Sequence, residues 1–231
     1  MKEKFFHIET IPVVLYGDKT DKVYIYVHGK MGYKEEVKTY AETINEKGYQ
    51  VLAFDLPEHG ERKEEKRSFV PWEVVPELQA VMRYALDHWK QAALWANSIG
   101  AYFALLAYGG GTLEKALFVS PILDMERLIQ DMLQWASETE ETLEEKKIIP
   151  TSFGETLDWQ YYQYAKKNAI FSWNCPTSIL YAGRDNLTSR NTVEKFIKRF
   201  NCSLTVVEDG EHWFHTPDQL RILNDWIKEK V

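Results

Sequence analysis

The chain of 231 residues is long enough for one large domain with a sizeable hydrophobic core, and two full domains would be cramped. Its 35 acidic and 28 basic residues give a formal net charge of −7, which argues against a nucleic-acid partner, because phosphate binding requires a basic surface. No stretch resembles a membrane span, and the N-terminal residues lack the apolar segment of a signal peptide. We therefore expect a cytoplasmic protein with no membrane partner, in which Cys175 and Cys202 are free thiols.

The apolar pattern of the first half predicts strands that alternate with helices. The predicted strands are 5–8, 13–16, 23–27 and 50–56. The predicted helices are 35–47 and 72–89. The first two strands are expected to form an antiparallel hairpin joined near Pro12. The charged run at 61–67 is expected to be a solvated loop.

A short apolar strand at 92–96 is followed by Ser98 and then at once by a helical pattern. Strand, serine and helix in immediate succession are the context of a nucleophile elbow. Gly100 supplies the small residue that such a tight turn needs on its helix side, whereas Ala96 stands where the G-x-S-x-G motif has its first glycine. The alternative interpretation is that Ser98 only caps the following helix.

The alternation of predicted strands and helices continues after the elbow and is then interrupted. The later predicted strands are 115–119, 177–182 and 204–207, and the later helices are 192–200 and 217–230. Between 122 and 171 no strand is predicted, and the sequence has helical periodicity and many aromatic residues. This pattern predicts a helical cap insertion within a single domain spanning 1–231. The alternation elsewhere predicts an α/β fold with a mostly parallel central sheet of about eight strands, flanked by helices.

Polar residues that follow the predicted strands are expected to gather at one edge of the sheet, where ligands bind in such folds. A serine becomes a nucleophile when a base takes its proton and a third group orients that base. Ser98, Asp185 and His212 each follow a strand and occur in the order serine, acid, histidine. Asp124 is an alternative acid, and His215 is an alternative base.

Five motifs together resemble the α/β-hydrolase superfamily over essentially the whole chain. They are H-G-K-M-G at 28–32, D-L-P-E-H-G at 55–60, N-S-I-G-A at 97–101, A-G-R-D-N at 182–186 and G-E-H-W-F at 210–214. The resemblance implies the α/β-hydrolase fold and acyl-enzyme chemistry by a catalytic triad of Ser98, Asp185 and His212. A serine at the elbow, rather than aspartate or cysteine, is typical of the relatives that cleave esters, thioesters, lactones or amides.

The negative oxygen of a tetrahedral intermediate needs two backbone N–H donors, which together form an oxyanion hole. One is expected from Ile99, which follows the serine at the start of a helix, where the helix dipole also helps. The second, implied by the resemblance, is the N–H of Lys30, with Met31 as the neighbouring candidate. His28 is expected to shape this loop rather than to act in catalysis, and the polar residues of the 55–60 motif are expected to be structural.

We expect a serine hydrolase of the carboxylesterase type that cleaves a small, apolar carboxylic ester, thioester or lactone. The candidate substrate pocket contains Met31, Trp135 and Trp159. No cofactor or metal site is predicted, the expected partner is a small-molecule substrate, and a monomer and a homodimer are both left open. The alternatives are a peptidase or amidase of the same fold and a catalytically silent binding protein. Ala96 and the atypical Glu58 favour the silent alternative.

Overall fold

Strands and helices alternate along residues 1–109, 111 and 113–231, which are the residues that the computed structural model describes. The strands are β1 Glu3–Ile8, β2 Ile11–Tyr16, β3 Lys22–Val27, β4 Gln50–Phe54, β5 Gln91–Asn97, β6 Leu113–Val119, β7 Ile148–Pro150, β8 Thr156–Asp158, β9 Thr177–Ala182 and β10 Ser203–Val207. The helices are α1 Lys38–Glu46, α2 Pro71–His88, α3 Ile99–Tyr108, α4 Met125–Trp135, α5 Glu140–Lys146, α6 Trp159–Lys167, α7 Arg190–Phe200 and α8 Pro217–Lys230.

Eight strands form the central sheet in the order β1-β2-β4-β3-β5-β6-β9-β10. β1 and β2 pair antiparallel, as do β2 and β4, and all other neighbours in the sheet are parallel. The predicted fold class, a mostly parallel sheet of about eight strands flanked by helices, is therefore confirmed. β4 is buried along its whole length because helices cover both faces of the sheet.

The core divides into two clusters, one on each face of the sheet. Leu78 of α2 and Phe103 of α3 belong to the first cluster. Ile44 of α1 and Trp226 of α8 belong to the second. With both faces filled, the carboxyl ends of β3, β5, β6, β9 and β10 are left together at one edge, where their loops meet. Among the described residues, no helix is long and apolar enough to cross a membrane.

Two details of the predicted elements differ in the structure. The β1–β2 hairpin turns at residues 9–10 rather than near Pro12, which lies inside β2. The segment 122–171 is also not free of strands, because β7 and β8 pair antiparallel between α5 and α6. Each of these strands has only three residues, too few for an alternating apolar pattern to emerge from the sequence.

The charged run at 61–67 is not solvated throughout, contrary to the prediction. The side chain of Arg62 is fully buried. Its two terminal nitrogens donate to the Glu77 carboxylate of α2 at 2.6 and 2.8 Å. A buried guanidinium is tolerated when a carboxylate meets it in this bidentate manner. The sequence run does not reveal the partner, because Glu77 lies 15 residues further along the chain.

Candidate active site

Ser98 occupies a strained turn between β5 and α3, with φ 50° and ψ −121°. A non-glycine residue held in such a sparsely populated conformation costs on the order of 1–3 kcal/mol, which the surrounding structure must supply. Two hydrogen bonds to residues at and just after the end of β6 hold Ser98 in this conformation. The Ser98 N–H donates to the Val119 carbonyl, and the Ser98 carbonyl accepts from the Ile122 N–H, both at 3.0 Å.

Gly100 allows α3 to approach the end of β3 closely. A Cβ atom at this position would lie 2.4 Å from the His28 carbonyl oxygen and 2.8 Å from that of Val27. Only glycine fits there without moving the helix. On the strand side, the methyl group of Ala96 is accommodated in the core, where the residue is fully buried. The departure from the G-x-S-x-G pattern is therefore compatible with the tight turn.

The structure joins Ser98, His212 and Asp185 in one hydrogen-bonded row. The Ser98 hydroxyl lies 2.7 Å from His212 Nε2, and His212 Nδ1 lies 2.8 Å from Asp185 Oδ2. Since a carboxylate only accepts, Nδ1 carries the imidazole proton and Nε2 is free to accept from the serine. The Ser98 side chain makes no capping bond to α3, so it does not act as the helix cap that the alternative interpretation required.

The side chain of Asp185 is fully buried and fixed by its own loop. Its Oδ1 accepts from the N–H groups of Leu187 and Thr188 at 2.8 and 3.0 Å, which leaves Oδ2 for the imidazole. Asp124, the alternative acid, instead caps α4, where its carboxylate accepts from the Arg127 N–H at 3.0 Å. The acid in contact with His212 is therefore Asp185.

The loops that carry Asp185 and His212 are bonded to each other where they leave β9 and β10. The Arg184 N–H donates to the Gly210 carbonyl at 2.9 Å, which fixes the spacing of the two loops. His215, the alternative base, lies outside the row, and its Nδ1 is 2.8 Å from the Trp213 carbonyl. Trp213 was not anticipated from the sequence; it is 74% exposed directly after His212.

The expected oxyanion loop is a tight turn closed by a hydrogen bond from the Gly32 N–H to the Gly29 carbonyl at 3.1 Å. The Met31 N–H donates to His59 Nε2 at 2.9 Å and is thus occupied. Among the described residues, the Lys30 N–H has no acceptor. The Ile99 N–H, at the first position of α3, has no acceptor within its helix either. Of the two candidates in this loop, the free donor is that of Lys30.

His28 is a buried, neutral link between this loop and the one after β4. Its Nδ1 donates to the Gly29 carbonyl at 2.8 Å, and its Nε2 accepts from the Leu56 N–H at 3.0 Å. Burial lowers the pKa of His28 to about 4, because the charged imidazolium would lose its hydration. Both ring nitrogens are used in structural bonds, which matches the loop-shaping role expected for this residue.

We predict that His28 makes the protein less stable in mild acid. The pKa of His28 is 6.5 in the unfolded chain and about 4 in the folded protein. Between these two pH values the unfolded chain binds a proton at His28 and the folded protein does not. Stability therefore falls as the pH falls, by roughly 3 kcal/mol over the window. Urea unfolding between pH 7 and pH 4 should show that the free energy of unfolding falls less with pH in His28→Gln than in wild type. His7→Gln, at an exposed position, is the control, and an unchanged pH slope in His28→Gln would contradict the prediction.

A second buried ion pair supports the same loops and was missed from the sequence. Lys34 is 1% exposed, and its Nζ donates to Asp55 Oδ2 at 2.7 Å, while its N–H donates to Asp55 Oδ1 at 2.8 Å. Burial alone would lower the pKa of Lys34, but hydrogen bonds to Asp55, Glu61 and Glu35 raise it above the ordinary lysine value. Gly60 is required beside this pair, since a Cβ there would lie 2.2 Å from the Asp55 carboxylate.

The three candidate pocket residues occupy different surroundings. Met31 is 87% exposed. Trp135 packs edge-on against Phe153 of the β7–β8 turn, and Trp159 packs against Tyr162 within α6. A cavity of about 490 Å³ lies between α4, the end of α6 and α7. None of the three candidate pocket residues lines it. In the part of the chain that the structure describes, no group of three or more potential ligands is arranged to hold a metal ion.

Three solved structures show what the chain is similar to. Est1E from Butyrivibrio proteoclasticus, with ferulic acid bound, is 19% identical, with 98% of this chain and 96% of that chain covered and a TM-score of 0.74. Mouse α/β-hydrolase domain-containing protein 10 is 14% identical, with 99% and 98% covered and a TM-score of 0.76. A soluble variant of monoglyceride lipase from Saccharomyces cerevisiae, in complex with a substrate analogue, is 12% identical, with 99% and 93% covered and a TM-score of 0.70.

No family model and no curated protein matches the sequence. At the identities found among the solved structures, the likeness establishes the fold and not the activity. The chain has the α/β-hydrolase fold, as its five motifs predicted. The fold does not by itself define a reaction, so the activity has to be argued from the residues of the site.

Proposed function

We propose that this protein is a serine hydrolase that cleaves carboxylic esters through an acyl-enzyme intermediate. The observation that carries the proposal is the hydrogen-bonded row of Ser98, His212 and Asp185 at the carboxyl edge of the sheet. Two of the similar structures agree with it. One is a monoglyceride lipase in complex with a substrate analogue, and another holds ferulic acid, a carboxylic acid such as ester hydrolysis releases.

In the acylation step, Ser98 Oγ attacks the carbonyl carbon of the ester, and His212 Nε2 takes the hydroxyl proton. Asp185 holds the imidazole in the required tautomer and stabilises the imidazolium that forms. The carbonyl oxygen becomes negatively charged and accepts hydrogen bonds from the Lys30 and Ile99 N–H groups. The tetrahedral intermediate then breaks its bond to the alcohol oxygen, which leaves with the proton from His212.

In the deacylation step, His212 takes a proton from water, and the resulting hydroxide equivalent attacks the acyl carbon bound to Ser98. The two N–H donors again stabilise the oxyanion. The intermediate breaks its bond to Ser98 Oγ, which recovers the proton from His212. The free carboxylic acid leaves, and the enzyme returns to its starting state.

The surroundings of the row favour an apolar acyl or alcohol group. Met31 and Trp213, which directly follow Lys30 and His212, are 87% and 74% exposed, so apolar surface is available beside both catalytic loops. Thioesters and lactones would react by the same steps. The proposal is therefore a carboxylesterase-type activity on apolar substrates, which the sequence predicts to be small, with the peptidase, amidase and silent binding alternatives decided by experiment.

A fluorophosphonate probe tests the proposal, because it forms a stable adduct only with an activated serine beside a working oxyanion hole. Intact mass and peptide mapping should show one adduct, on Ser98, in wild type and none in Ser98→Ala. p-Nitrophenyl esters of increasing chain length, methyl ferulate, a thioester and an amide then define the substrate class. Wild type that stays unlabelled under conditions that label a known esterase would contradict the proposal and favour a silent binding protein.

A further inference from the structure

The side chain of Lys30 connects the oxyanion turn to the insertion. Its Nζ lies 2.6 and 2.5 Å from the two carboxylate oxygens of Glu155, a residue 125 positions further along the chain. Lys30 belongs to the turn at 29–32, and Glu155 directly precedes β8. Among the described residues, this is the ion pair that joins the turn to the β7–β8 hairpin.

The Glu155 end of this pair is rigidly held. The Thr151 hydroxyl donates to the Glu155 carbonyl at 2.7 Å and accepts from the Glu155 N–H at 3.1 Å. A third bond runs from the Thr151 N–H to the Glu155 carbonyl at 2.8 Å. At the tip of the same turn, the ring of Phe153 packs against Trp135 of α4, with centroids 5.9 Å apart. The carboxylate is therefore presented from a fixed backbone.

The Lys30 end belongs to a short segment whose movement would change the oxyanion hole directly. Met31 has a positive φ of 65°, and its N–H is bound to His59. These contacts fix the turn on the Met31 side, while the side chain of Lys30 fixes it from the insertion. The side chain and the N–H donor belong to one residue, so a restraint on Nζ limits the movement of the turn that carries the donor.

We propose that Glu155 is a positioning residue: by binding Lys30 Nζ, it holds the oxyanion turn so that the Lys30 N–H meets the developing oxyanion. This inference rests on the proposed function. The two side chains are 48% and 36% exposed, and exposed ion pairs contribute little to the free energy of folding. The pair restrains the turn only weakly, so its effect on the rate is expected to be a few-fold, a small part of the roughly 10²–10³-fold that a single oxyanion-hole donor accounts for.

The test compares Glu155→Gln with Glu138→Gln. Glu138 pairs with Lys146 at 2.8 Å within the insertion, and among the residues described neither side chain forms an ion pair with the oxyanion turn. The lysine side chain is 54% exposed and the glutamate side chain 22%. Glu155→Gln should lower kcat for ester hydrolysis by about two- to fivefold, with KM and thermal stability little changed. Glu138→Gln should match wild type. The exchanged pair Lys30→Glu with Glu155→Lys should recover most of the lost kcat, which a general packing defect would not allow.

Hydrogen exchange supplies a readout that does not depend on activity. Backbone amides of residues 28–34 should exchange faster in Glu155→Gln than in wild type and Glu138→Gln. Unchanged exchange in that segment, or faster exchange with unchanged kcat, would overturn the positioning role. If wild type neither hydrolyses esters nor reacts with a fluorophosphonate, while the exchange difference is present, the proposed function fails and the structural coupling between hairpin and turn is supported.

Discussion

Asp185→Asn is expected to lower kcat for ester hydrolysis by about 10⁴-fold while leaving the fold intact. The asparagine oxygen can still accept from the Leu187 and Thr188 N–H groups, so the loop keeps its bonds. The asparagine NH₂ group, however, would donate to His212 Nδ1. The imidazole proton would then reside on Nε2, which could no longer accept the proton of Ser98.

The matched control is Asp124→Asn, which alters the other carboxylate that the sequence offered as the acid. Its contact is with the Arg127 N–H at the start of α4, so kcat should stay close to that of wild type. Steady-state kinetics on one p-nitrophenyl ester, with circular dichroism as a check on folding, decides whether Asp185 or Asp124 is the acid. A loss of less than about tenfold in Asp185→Asn, or a severe loss in Asp124→Asn, would contradict the assignment of the acid.

The triad could be anticipated because its members follow strands. In a parallel sheet the carboxyl ends of neighbouring strands meet, so Ser98, Asp185 and His212 are brought to one edge although they are far apart in the chain. The order of the three residue types along the chain narrowed the assignment further. The choice between Asp185 and Asp124 could not be made in this way, because both follow a strand, and only the direction of each carboxylate separates them.

The buried charges could not be anticipated, because the sequence around a charged residue is the same whether its partner is water or a distant carboxylate. Lys34 and Arg62 lie in polar stretches of the sequence, yet both are almost fully buried against Asp55 and Glu77. Their partners are 21 and 15 residues away. Hydrophobic periodicity records which side of an element faces the core, and it carries no information on such pairs.

These buried charges are nevertheless part of what holds the site. Arg62 donates to the carbonyl of Asp55 at 3.1 Å, and the Asp55 carboxylate binds the backbone and side chain of Lys34 just beyond the oxyanion turn. Glu77 on α2 thus lies at the base of a chain of contacts that leads to the loop of Lys30. The rigid helix, rather than the loops themselves, anchors this arrangement.

Glu77→Gln is therefore expected to lower the free energy of unfolding by about 3 kcal/mol. The replacement keeps the shape of the side chain but removes its charge, so the fully buried guanidinium of Arg62 loses its bidentate partner. Arg62 would retain the bond from its Nε to Glu65 at 2.8 Å, which places the loss at the lower end of the range for broken buried pairs. Urea unfolding of wild type and variant at neutral pH measures the difference.

Arg67→Ala is the control for this prediction, because Arg67 also binds Glu77, at 2.6 Å, but its side chain is 48% exposed. Its removal should cost less than about 1 kcal/mol, since the arginine is half-exposed and Glu77 keeps its bidentate partner Arg62. The double replacement Arg62→Met with Glu77→Leu should lose less than Glu77→Gln alone, because it leaves no buried charge without a counter-charge. A double variant as unstable as the sum of the single variants Arg62→Met and Glu77→Leu would mean that the two residues are not energetically coupled, and would contradict the unpaired buried charge as the cause of the loss.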